Sequence, residues 1–596
     1  MTNIKEILTK HTIQAVETLY GQAISSEKIL FQETRKEFDG DITLTVFSLT
    51  ALSKKSPETT AQEIGNKLLE NSGLVDRYNV VKGFLNISFK TQIWLKIFQE
   101  IQSDKEFGLK KLEEKAPVVM IEYPSPNTNK PLHLGHLRNI FLGYSMAEIL
   151  KASGNRVVHA CLYNDRGTNI SKSMLAWMTS ETKETPESSG KKGDHLVGDY
   201  YVEFANAYKK EIESLIAGGL SKEEAEAKSE LSRKVADLTV KWENNDPEVR
   251  QLWKRMNTWV YEGFDVTYNW LGIKPDKFYY ESDVYDLGKE TVKDGLEKGI
   301  FYQKEDGSIW IDLSNEGLDQ KVVLRSNGTT VYITQDIATA NEKDRDYELT
   351  KSIYVVGNEQ EYHFKVLFSI LKKLGKPYAD QLFHLSYGMV ELPNGKMKSR
   401  EGTVVDADDL IAGMIEAAKE KTEEKGKNEG RTEEELQNLY KILGLGALKY
   451  FILKVDAKKR IVFNPEESIE TEGHTGPFIQ YSHARICSIL RKGGDGESND
   501  STIAANDILP KEQSLIRQLS AFPEIIALAG DSYNPALLAN YTYELAKEFN
   551  QYYHDVPILK ESRPEVKNFR LQLASKMAEV IKRSMNMLGI EVPERM

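Results

Sequence analysis

Residues 117–163 read PVVMIEYPSPNTNKPLHLGHLRNIFLGYSMAEILKASGNRVVHACLY. The run from Pro117 to Ile121 is apolar and soon meets prolines, as in a buried parallel strand that ends in a connecting loop. GHLRNIFLGYSMAEILKASG has helical spacing and a glycine stop, and NRVVHACLY is a second buried run. Strand, loop, helix and strand make a βαβ unit. The stretch therefore predicts a nucleotide-type parallel sheet whose first loop carries HLGH.

Length, charge and cysteine content limit the class of protein. At 596 residues the chain is too long for one hydrophobic core, so several domains of about 150 residues should meet at a site. Its apolar runs are shorter than the roughly 20 residues of a membrane span, and the N-terminus resembles an amphipathic helix rather than an export signal. Cys161 and Cys487 are too few for a disulfide framework or a thiolate zinc site. We expect a cytoplasmic protein without a membrane partner or a protein-bound metal, while the net charge of −12 leaves nucleic-acid partners open.

Composition and periodicity divide the chain into four regions. Residues 1–112 predict a small α/β or α+β domain. Residues 113–394 predict the parallel-sheet domain, with sheet-like runs at SIWIDL, VVLRS, TVYITQD and SIYVVG. A charged helical insertion at about 171–259 contains ETKETPESSGKKGD, whose composition predicts a mobile loop. Residues 395–460 predict a connecting helical region, and residues 461–596 an all-α helical bundle.

The HLGH motif lies where a strand gives way to a helix, and backbone N–H groups at a helix start bind anions. Surface histidines near a turn would be the ordinary interpretation of HLGH alone. NGKMKSREGTVV adds a lysine-bearing loop about 260 residues later. These two stretches resemble the HIGH and KMSKS elements of class I aminoacyl-tRNA synthetases. Six further stretches resemble the arginyl-tRNA synthetase family: EYPSPNTNKPLHLGHLRN, VYITQD, GNEQEYH, TGPFIQYSHARICSILRK, LANYTYELAKEFNQYYHDVPIL and LGIEVPERM. Recognisable motifs of this family run from FDGDITLTVF to Met596.

The resemblance implies an enzyme that activates L-arginine with ATP and Mg²⁺, releases pyrophosphate and transfers arginine to the 3′ end of tRNA(Arg). It implies a Rossmann-type catalytic domain, an N-terminal tRNA-binding domain and a C-terminal anticodon-binding domain, in a monomeric protein. Two other hypotheses stay open. One is a nucleotidyltransferase of the same superfamily that adenylates a small acid without RNA, and the other is a catalytically silent RNA-binding paralogue.

Activation needs positive charge and hydrogen-bond donors around the ATP phosphates. Ser399 stands where KMSKS has its second lysine. Lys130 matches the lysine that is thought to compensate in this family, with Lys398 and Arg400 as alternatives. The resemblance implies four catalytic residues, His133, His136, Lys130 and Lys396. The ATP-binding residues that it implies are His133, Gly135, His136, Met389, Val390, Lys396, Lys398, Ser399 and Arg400.

An arginine pocket needs a carboxylate, because a guanidinium stays charged and is recognised by bidentate hydrogen bonding. Asp336, with Tyr332 four residues earlier, matches the family's guanidinium-binding pair. Without the resemblance, Asp336 would cap a helix beginning at Ile337 or form a surface pair with Tyr332. Glu122, at a buried strand end, needs a charged partner, and the substrate ammonium would serve. The arginine-binding residues that the resemblance implies are Glu122, Asn127, Tyr332, Asp336 and Gln360.

Phe478, Tyr481 and Arg485 are three and four residues apart, which puts them on one helix face. Such a face is ordinarily core, but aromatics with an arginine also suit stacking on unpaired bases. The resemblance favours contact with the anticodon. Phe84 and Asn86 fall near family residues that contact the tRNA elbow.

Overall fold

The computed structural model describes residues 4–35, 37–285, 287–393, 405–424, 426, 430–494 and 503–596. The N-terminal domain contains a four-stranded sheet of order β1-β2-β4-β3, in which every pair is antiparallel. The sheet and the helices share a core that includes Leu8, Ile64 and Leu85. The domain is therefore of the α+β type. Its elements are α1 Ile4–Tyr20, β1 Leu30–Glu33, β2 Ile42–Thr45, α2 Thr50–Ser53, α3 Pro57–Asn71, β3 Val75–Val81, β4 Phe84–Phe89 and α4 Thr91–Ser103.

The second domain contains the predicted parallel sheet, with five strands in the order β12-β11-β5-β6-β7. The chain moves outward from β5 to β7 and then continues on the other side with β11 and β12. The topological switch point therefore lies between β5 and β11, and ligands bind at the carboxyl ends of strands beside such a point. The elements of this sheet and of its first crossover are β5 Val118–Glu122, α5 Leu134–Ala152, β6 Arg156–Tyr163, β7 Lys277–Tyr280, β11 Lys351–Gly357 and β12 Leu382–Tyr387.

The helical insertion between β6 and β7 is longer than the sequence predicts, because its helices extend from Thr168 to Leu271. The prediction of a mobile loop for ETKETPESSGKKGD is wrong in part. Trp177 Nε1 donates to the Glu184 carbonyl at 2.9 Å, and a short helix begins at Pro186. The helices are α6 Thr168–Thr179, α7 Pro186–Ser189, α8 Gly193–Ala217, α9 Lys222–Lys228, α10 Glu230–Glu243 and α11 Pro247–Leu271.

The segment between β7 and β11 corrects one predicted strand. SIWIDL and VVLRS lie in a separate three-stranded antiparallel sheet, but TVYITQD does not add to it, because a helix begins at Tyr332. Ile333, Ile337 and Ala340 are buried on one side of that helix, so burial at helical spacing outweighs the local β-propensity. The elements are α12 Glu281–Val284, α13 Leu287–Glu297, β8 Tyr302–Gln303, β9 Ile309–Ile311, β10 Lys321–Leu324, α14 Tyr332–Tyr347 and α15 Glu361–Lys373.

The C-terminal part is helical, as predicted, apart from one short strand. β14 pairs in parallel with β13, so the chain returns to the sheet domain before it enters the bundle. Within the described ranges, no helix combines the length and the apolar character that a membrane crossing requires. The elements are β13 Val390–Glu391, α16 Ala407–Glu424, α17 Glu433–Leu453, β14 Ile461–Val462, α18 Pro465–Ser468, α19 Gly476–Gly493, α20 Pro510–Asp531, α21 Ala536–Asp555 and α22 Pro564–Met587.

Candidate active site

The loop between β5 and α5 places both histidines of HLGH at the carboxyl end of the sheet. His133 is the N-cap of α5, and its Nδ1 accepts from the Gly135 backbone N–H at 3.1 Å. His136 Nδ1 accepts from the His133 backbone N–H at 3.1 Å, and the two ring centroids are 3.8 Å apart. Because both Nδ1 atoms accept, this network assigns the remaining proton of each neutral ring to Nε2. Each ring can therefore donate one hydrogen bond to an anion.

The electrostatic surroundings favour the neutral form of both imidazole rings. Burial and the nearby Lys130 ammonium lower the pKa of His133 to about 4. Burial, His133 and Lys130 together lower the pKa of His136 well below its usual range. Burial also lowers the pKa of Lys130. Desolvated donors of this kind interact strongly with an added negative charge, since little water screens them.

Arg138 is a residue that sequence analysis missed. Its side chain lies on α5 and is fully buried. Its guanidinium donates to the carbonyls of Gly388 at 2.7 Å and Met389 at 3.0 Å, and also to those of Ala457 at 2.8 Å and Lys459 at 2.7 Å. Burial lowers the pKa of Arg138 to about 10. Arg138 therefore ties the helix of the HLGH motif to the backbone beside Met389 and Val390, two of the predicted ATP-binding residues.

The structure describes the chain on both sides of the lysine-bearing loop. Lys396, Lys398, Ser399 and Arg400 lie outside the described residues. On one side of the loop, Met389 is exposed and Val390 is buried. On the other side, the Leu134 N–H donates to the Val405 carbonyl at 3.0 Å, and the Ala407 N–H donates to the Leu132 carbonyl at 3.0 Å. The chain after the loop therefore pairs directly with the start of α5.

Asp336 and Tyr332 occupy the first turns of α14. The N-cap of this helix is Val331, so the alternative in which Asp336 caps a helix beginning at Ile337 is wrong. Tyr332 is 75% exposed, and Asp336 Oδ2 lies 2.6 Å from His363 Nε2. His363 lies in the first turn of α15, close to the carboxyl end of β11. Asp336 is therefore held at the edge of the sheet where the switch point predicts a ligand.

A second acid near Asp336 was not predicted. Glu281 is 7% exposed, and burial raises its pKa to about 7, although Arg166 opposes this shift and Asp336 adds to it. The Arg166 guanidinium is 4.0 Å from Glu281 and donates to Glu243 at 3.0 Å. A cation bound beside Glu281 would lower the pKa of that carboxyl group and favour its ionised form. No local pattern marks Glu281, because its neighbours belong to distant elements.

Glu122 already has an internal partner. Its carboxylate contacts the Lys343 ammonium of α14, and both side chains are almost fully buried. Burial lowers the pKa of Lys343, but Glu122, Tyr354 and Asp336 together outweigh burial, so the net pKa is raised. Lys343 also lies 4.2 Å from the Tyr354 ring centroid. Glu122 therefore does not need the substrate ammonium as a partner, contrary to the expectation from its burial, and its contact with arginine stays a prediction from the resemblance.

Asn127 and Gln360 lie on two neighbouring loops at the carboxyl edge. Asn127 is exposed in the loop after β5, where it forms a bridge with Asn164. Gln360 is exposed at the N-cap of α15, after β11. Both loops border the switch point, so both side chains are available to a ligand there.

The two candidates on the N-terminal domain differ in exposure. Phe84 is partly exposed and packs edge-on against Phe47, with ring centroids 5.4 Å apart. Asn86 is 1% exposed, accepts from Thr43 at 2.6 Å and donates to Asn79 at 2.9 Å. In this conformation the Asn86 side chain is not available to RNA, which corrects the prediction for that residue.

Phe478, Tyr481 and Arg485 lie on α19, and all three are partly exposed. Phe478 packs against Tyr543, with ring centroids 5.3 Å apart. The Arg485 guanidinium lies 4.8 Å from the Tyr481 ring centroid and donates to Asn550 at 2.6 Å. The predicted shared face therefore exists, and aromatic and cationic groups reach the surface on it.

Comparison with known families identifies the class of protein. A model described as tRNA synthetases class I (R), catalytic domain, matches residues 97–464. Models for the DALR anticodon binding domain and the arginyl tRNA synthetase N terminal domain match residues 479–596 and 2–89. Together with the parallel sheet and the HLGH loop at its switch point, these matches define a class I aminoacyl-tRNA synthetase.

The most informative relatives are more specific. Arginine–tRNA ligases of Phocaeicola vulgatus and Bacteroides thetaiotaomicron are each 54% identical to this chain over 100% of both chains. The solved arginyl-tRNA synthetase of Thermus thermophilus shares the fold, with a TM-score of 0.75 at 24% identity over 100% of both chains. The chain belongs to the arginyl-tRNA synthetase family. Its activity is that of an ATP-dependent arginine–tRNA ligase, which removes the two alternative hypotheses.

Proposed function

We propose that this chain forms arginyl-adenylate at the carboxyl ends of β5 and β11 and then transfers arginine to the 3′ end of tRNA(Arg). One observation carries the placement. α14 spans both strand ends, because Asp336 contacts His363 beyond β11 while Lys343 contacts the last residue of β5. Residues seven apart lie on one face of a helix. The acid for the arginine side chain and the loop for ATP therefore border the same cleft.

In this proposal ATP lies along the start of α5. The Nε2–H groups of His133 and His136 donate to phosphate oxygens, and the small Gly135 lets the phosphates approach the helix start. Lys130 and Lys396 supply positive charge while pyrophosphate leaves, and the backbone at Gly388–Val390 contacts adenine. Mg²⁺ enters with the ATP phosphates, as it does in most nucleotide-dependent enzymes. The nucleophile is the substrate carboxylate, so catalysis rests on positioning and electrostatic stabilisation.

Arginine lies on the other side of the cleft. Asp336 and Tyr332 bind its guanidinium, and the buried acid Glu281 adds negative charge nearby. Asn127, Gln360 and Glu122 hold its α-amino end. The substrate carboxylate is then free to point toward the α-phosphate of ATP, where it attacks. A neutral amino acid of similar size would cover the acidic end of this pocket without supplying the charged hydrogen bonds of a guanidinium, which is the physical basis of selection.

The remaining assignments concern RNA and the whole molecule. The α19 face with Phe478, Tyr481 and Arg485 contacts the anticodon, and Phe84 contacts the tRNA elbow. We propose domain limits at about residues 112, 394 and 460, although β14 at Ile461–Val462 still pairs with the sheet domain. The protein acts as a cytoplasmic monomer.

ATP–pyrophosphate exchange with each amino acid, with and without tRNA(Arg), tests the function. Among the amino acids, only arginine should support exchange, and exchange with another amino acid would contradict the pocket.

Lys130→Ala should lower the rate of arginine activation by about tenfold to a hundredfold and leave arginine affinity nearly unchanged. The lost contact belongs to the transition state in which pyrophosphate leaves. The loss should be smaller than for a sole preorganised donor, because Lys398 or Arg400 can supply part of the charge. Single-turnover kinetics with saturating ATP measures this rate.

A second substitution tests whether Lys130 replaces the lysine that the KMSKS element lacks at Ser399. Ser399→Lys in the Lys130→Ala background should recover part of the rate, whereas Ser399→Lys alone should add little. A Lys130→Ala variant with the parent rate would show that Lys130 is only a loop residue.

Phe478→Ala combined with Tyr481→Ala should weaken tRNA(Arg) binding by about 1–3 kcal/mol for each stacked base. ATP and arginine KM values should not change, because α19 lies outside the sheet domain. Filter binding measures the affinity, and a thermal melt shows whether the contact of Phe478 with Tyr543 is needed for folding. Unchanged tRNA binding in a folded double variant would remove this face from the RNA interface.

A further inference from the structure

A partly buried charged cluster joins the helical insertion to the segment that follows the lysine-bearing loop. It consists of Lys192, Asp194 and His195 at the start of α8, and Asp406 and Asp408 at the start of α16. Lys192 Nζ is 2.5 Å from Asp408 Oδ2 and 3.1 Å from Asp194 Oδ2. His195 Nε2 is 3.0 Å from Asp408 Oδ2 and 3.7 Å from Asp406 Oδ2. None of the proposed substrate contacts uses these residues.

The cluster is built around Asp408. Its carboxylate accepts from Lys192, His195 and Thr267, the last at 2.8 Å. Burial raises the pKa of Asp408, but these hydrogen bonds and the positive charge of Lys192 together outweigh burial and lower it to about 2. Asp194, His195 and Asp408 have ligand atoms within 4.8 Å of one another, a spacing that also suits a metal ion. The Lys192 ammonium already contacts both carboxylates of that set, so the cluster is compensated by a side chain.

The elements that carry the cluster contact residues 130–134, at the start of the HLGH motif, from two sides. Where the chain enters α16, the backbone at Val405 and Ala407 pairs with Leu134 and Leu132, the residues on either side of His133. From α8, Gly198 packs so closely that a Cβ there would lie 2.8 Å from Pro131 Cδ and 3.6 Å from Lys130 Cα. The charge pairs between the starts of α8 and α16 therefore hold together the two segments that pack against residues 130–134.

We propose that Lys192, His195 and Asp408 are positioning residues for arginine activation, which hold Lys130 and His133 at the ATP phosphates by clamping α8 to the start of α16. The inference rests on the proposed role of the HLGH loop. A small misplacement of a reacting group lowers a rate by up to about a hundredfold without changing the groups themselves. The cluster thereby links the helical insertion to the phosphate side of the active site and leaves the arginine pocket untouched.

Protonation of His195 makes the clamp sensitive to pH. The charged groups that face His195 are Lys192 and Asp194 from α8, and Asp406 and Asp408 from α16. Burial lowers the pKa of His195, but the hydrogen bond to Asp408 and the two other carboxylates outweigh burial and raise the pKa. The imidazolium is therefore present below that raised pKa, and its charge is lost as the pH rises through it. The activation rate should fall over the same pH range.

Lys192→Met should lower the ATP–pyrophosphate exchange rate about 10- to 100-fold with tRNA(Arg) present, while the arginine KM changes less than about twofold. Lys192→Arg, which keeps the charge, should recover most of the rate. The matched control is Lys191→Met, because Lys191 pairs with Asp199 at the surface, at 2.7 Å. That variant should keep the parent rate.

His195→Gln keeps a donor toward Asp408 but cannot titrate, so its rate should lose the alkaline fall that the parent shows. If Lys192→Met does not fold, Lys192→Arg and His195→Gln still test the proposal. It is overturned if folded Lys192→Met keeps the parent rate, or if His195→Gln keeps the parent pH profile. His136→Ala distinguishes a failure of the clamp from a failure of the proposed phosphate role of the HLGH motif. The parent rate in that variant would refute the phosphate role itself, independently of the clamp.

Discussion

Asp336→Ala should weaken arginine binding by about 2–5 kcal/mol, the usual loss when one partner of a buried, hydrogen-bonded charge pair is removed. Bound arginine would cover Asp336, which is one-third exposed without it. Glu281 would still supply negative charge, which keeps the loss below that of a pocket with a single acid. The arginine KM in ATP–pyrophosphate exchange should rise about 30-fold or more, while the ATP KM stays near the parent value.

Two controls sharpen this result. Asp344→Ala removes the same group about two turns further along α14 and should leave the arginine KM unchanged. His363→Ala removes the imidazole that contacts Asp336 and should have a smaller effect than loss of the acid itself. An unchanged arginine KM in Asp336→Ala would refute the pocket assignment.

Lys343→Met should destabilise the sheet domain by about 3–5 kcal/mol, because it leaves the Glu122 carboxylate buried and uncompensated. Lys343 and Glu122 side chains are 1% and 6% exposed, so water cannot replace the lost partner. A chain of several domains does not unfold in two states, so calorimetry should show several unfolding transitions. The transition of the sheet domain is the one whose midpoint temperature rises when ATP and arginine are added, and Lys343→Met should lower that midpoint.

The double variant Lys343→Met with Glu122→Gln should recover much of the lost stability, because it removes both charges. Its arginine KM then tests the second role of Glu122. A KM close to that of the parent would mean that Glu122 serves only as the structural partner of Lys343. Full stability in Lys343→Met alone would contradict the buried pair.

Local sequence pattern predicted the elements that build the site. The apolar run before the prolines is β5, the helical spacing after HLGH is α5, and the next apolar run is β6. Parallel strands buried on both faces are continuous apolar runs in sequence, and amphipathic helices repeat every 3.6 residues, so each pattern can be recognised in a short window. The placement of HLGH at a strand-to-helix crossing follows from the same local patterns.

Local pattern failed where packing competed with propensity. TVYITQD is rich in β-branched and aromatic residues, yet Tyr332 begins α14, because Ile333 and Ile337 are buried four residues apart. Its helical form is what brings Asp336 and Lys343 onto one face. The exposure of Asn86 was likewise decided by its neighbours Thr43 and Asn79 across the sheet.

The sequence by itself determined the family, the domain order, the parallel-sheet core and the residues of the two motifs. Only the tertiary structure decided which charged groups meet. Lys343 is 221 residues from Glu122, Asp408 is 216 residues from Lys192, and Arg138 reaches carbonyls 250 to 321 residues away. Such pairs leave no periodic signal, because a buried charge requires a partner without specifying where in the chain that partner lies.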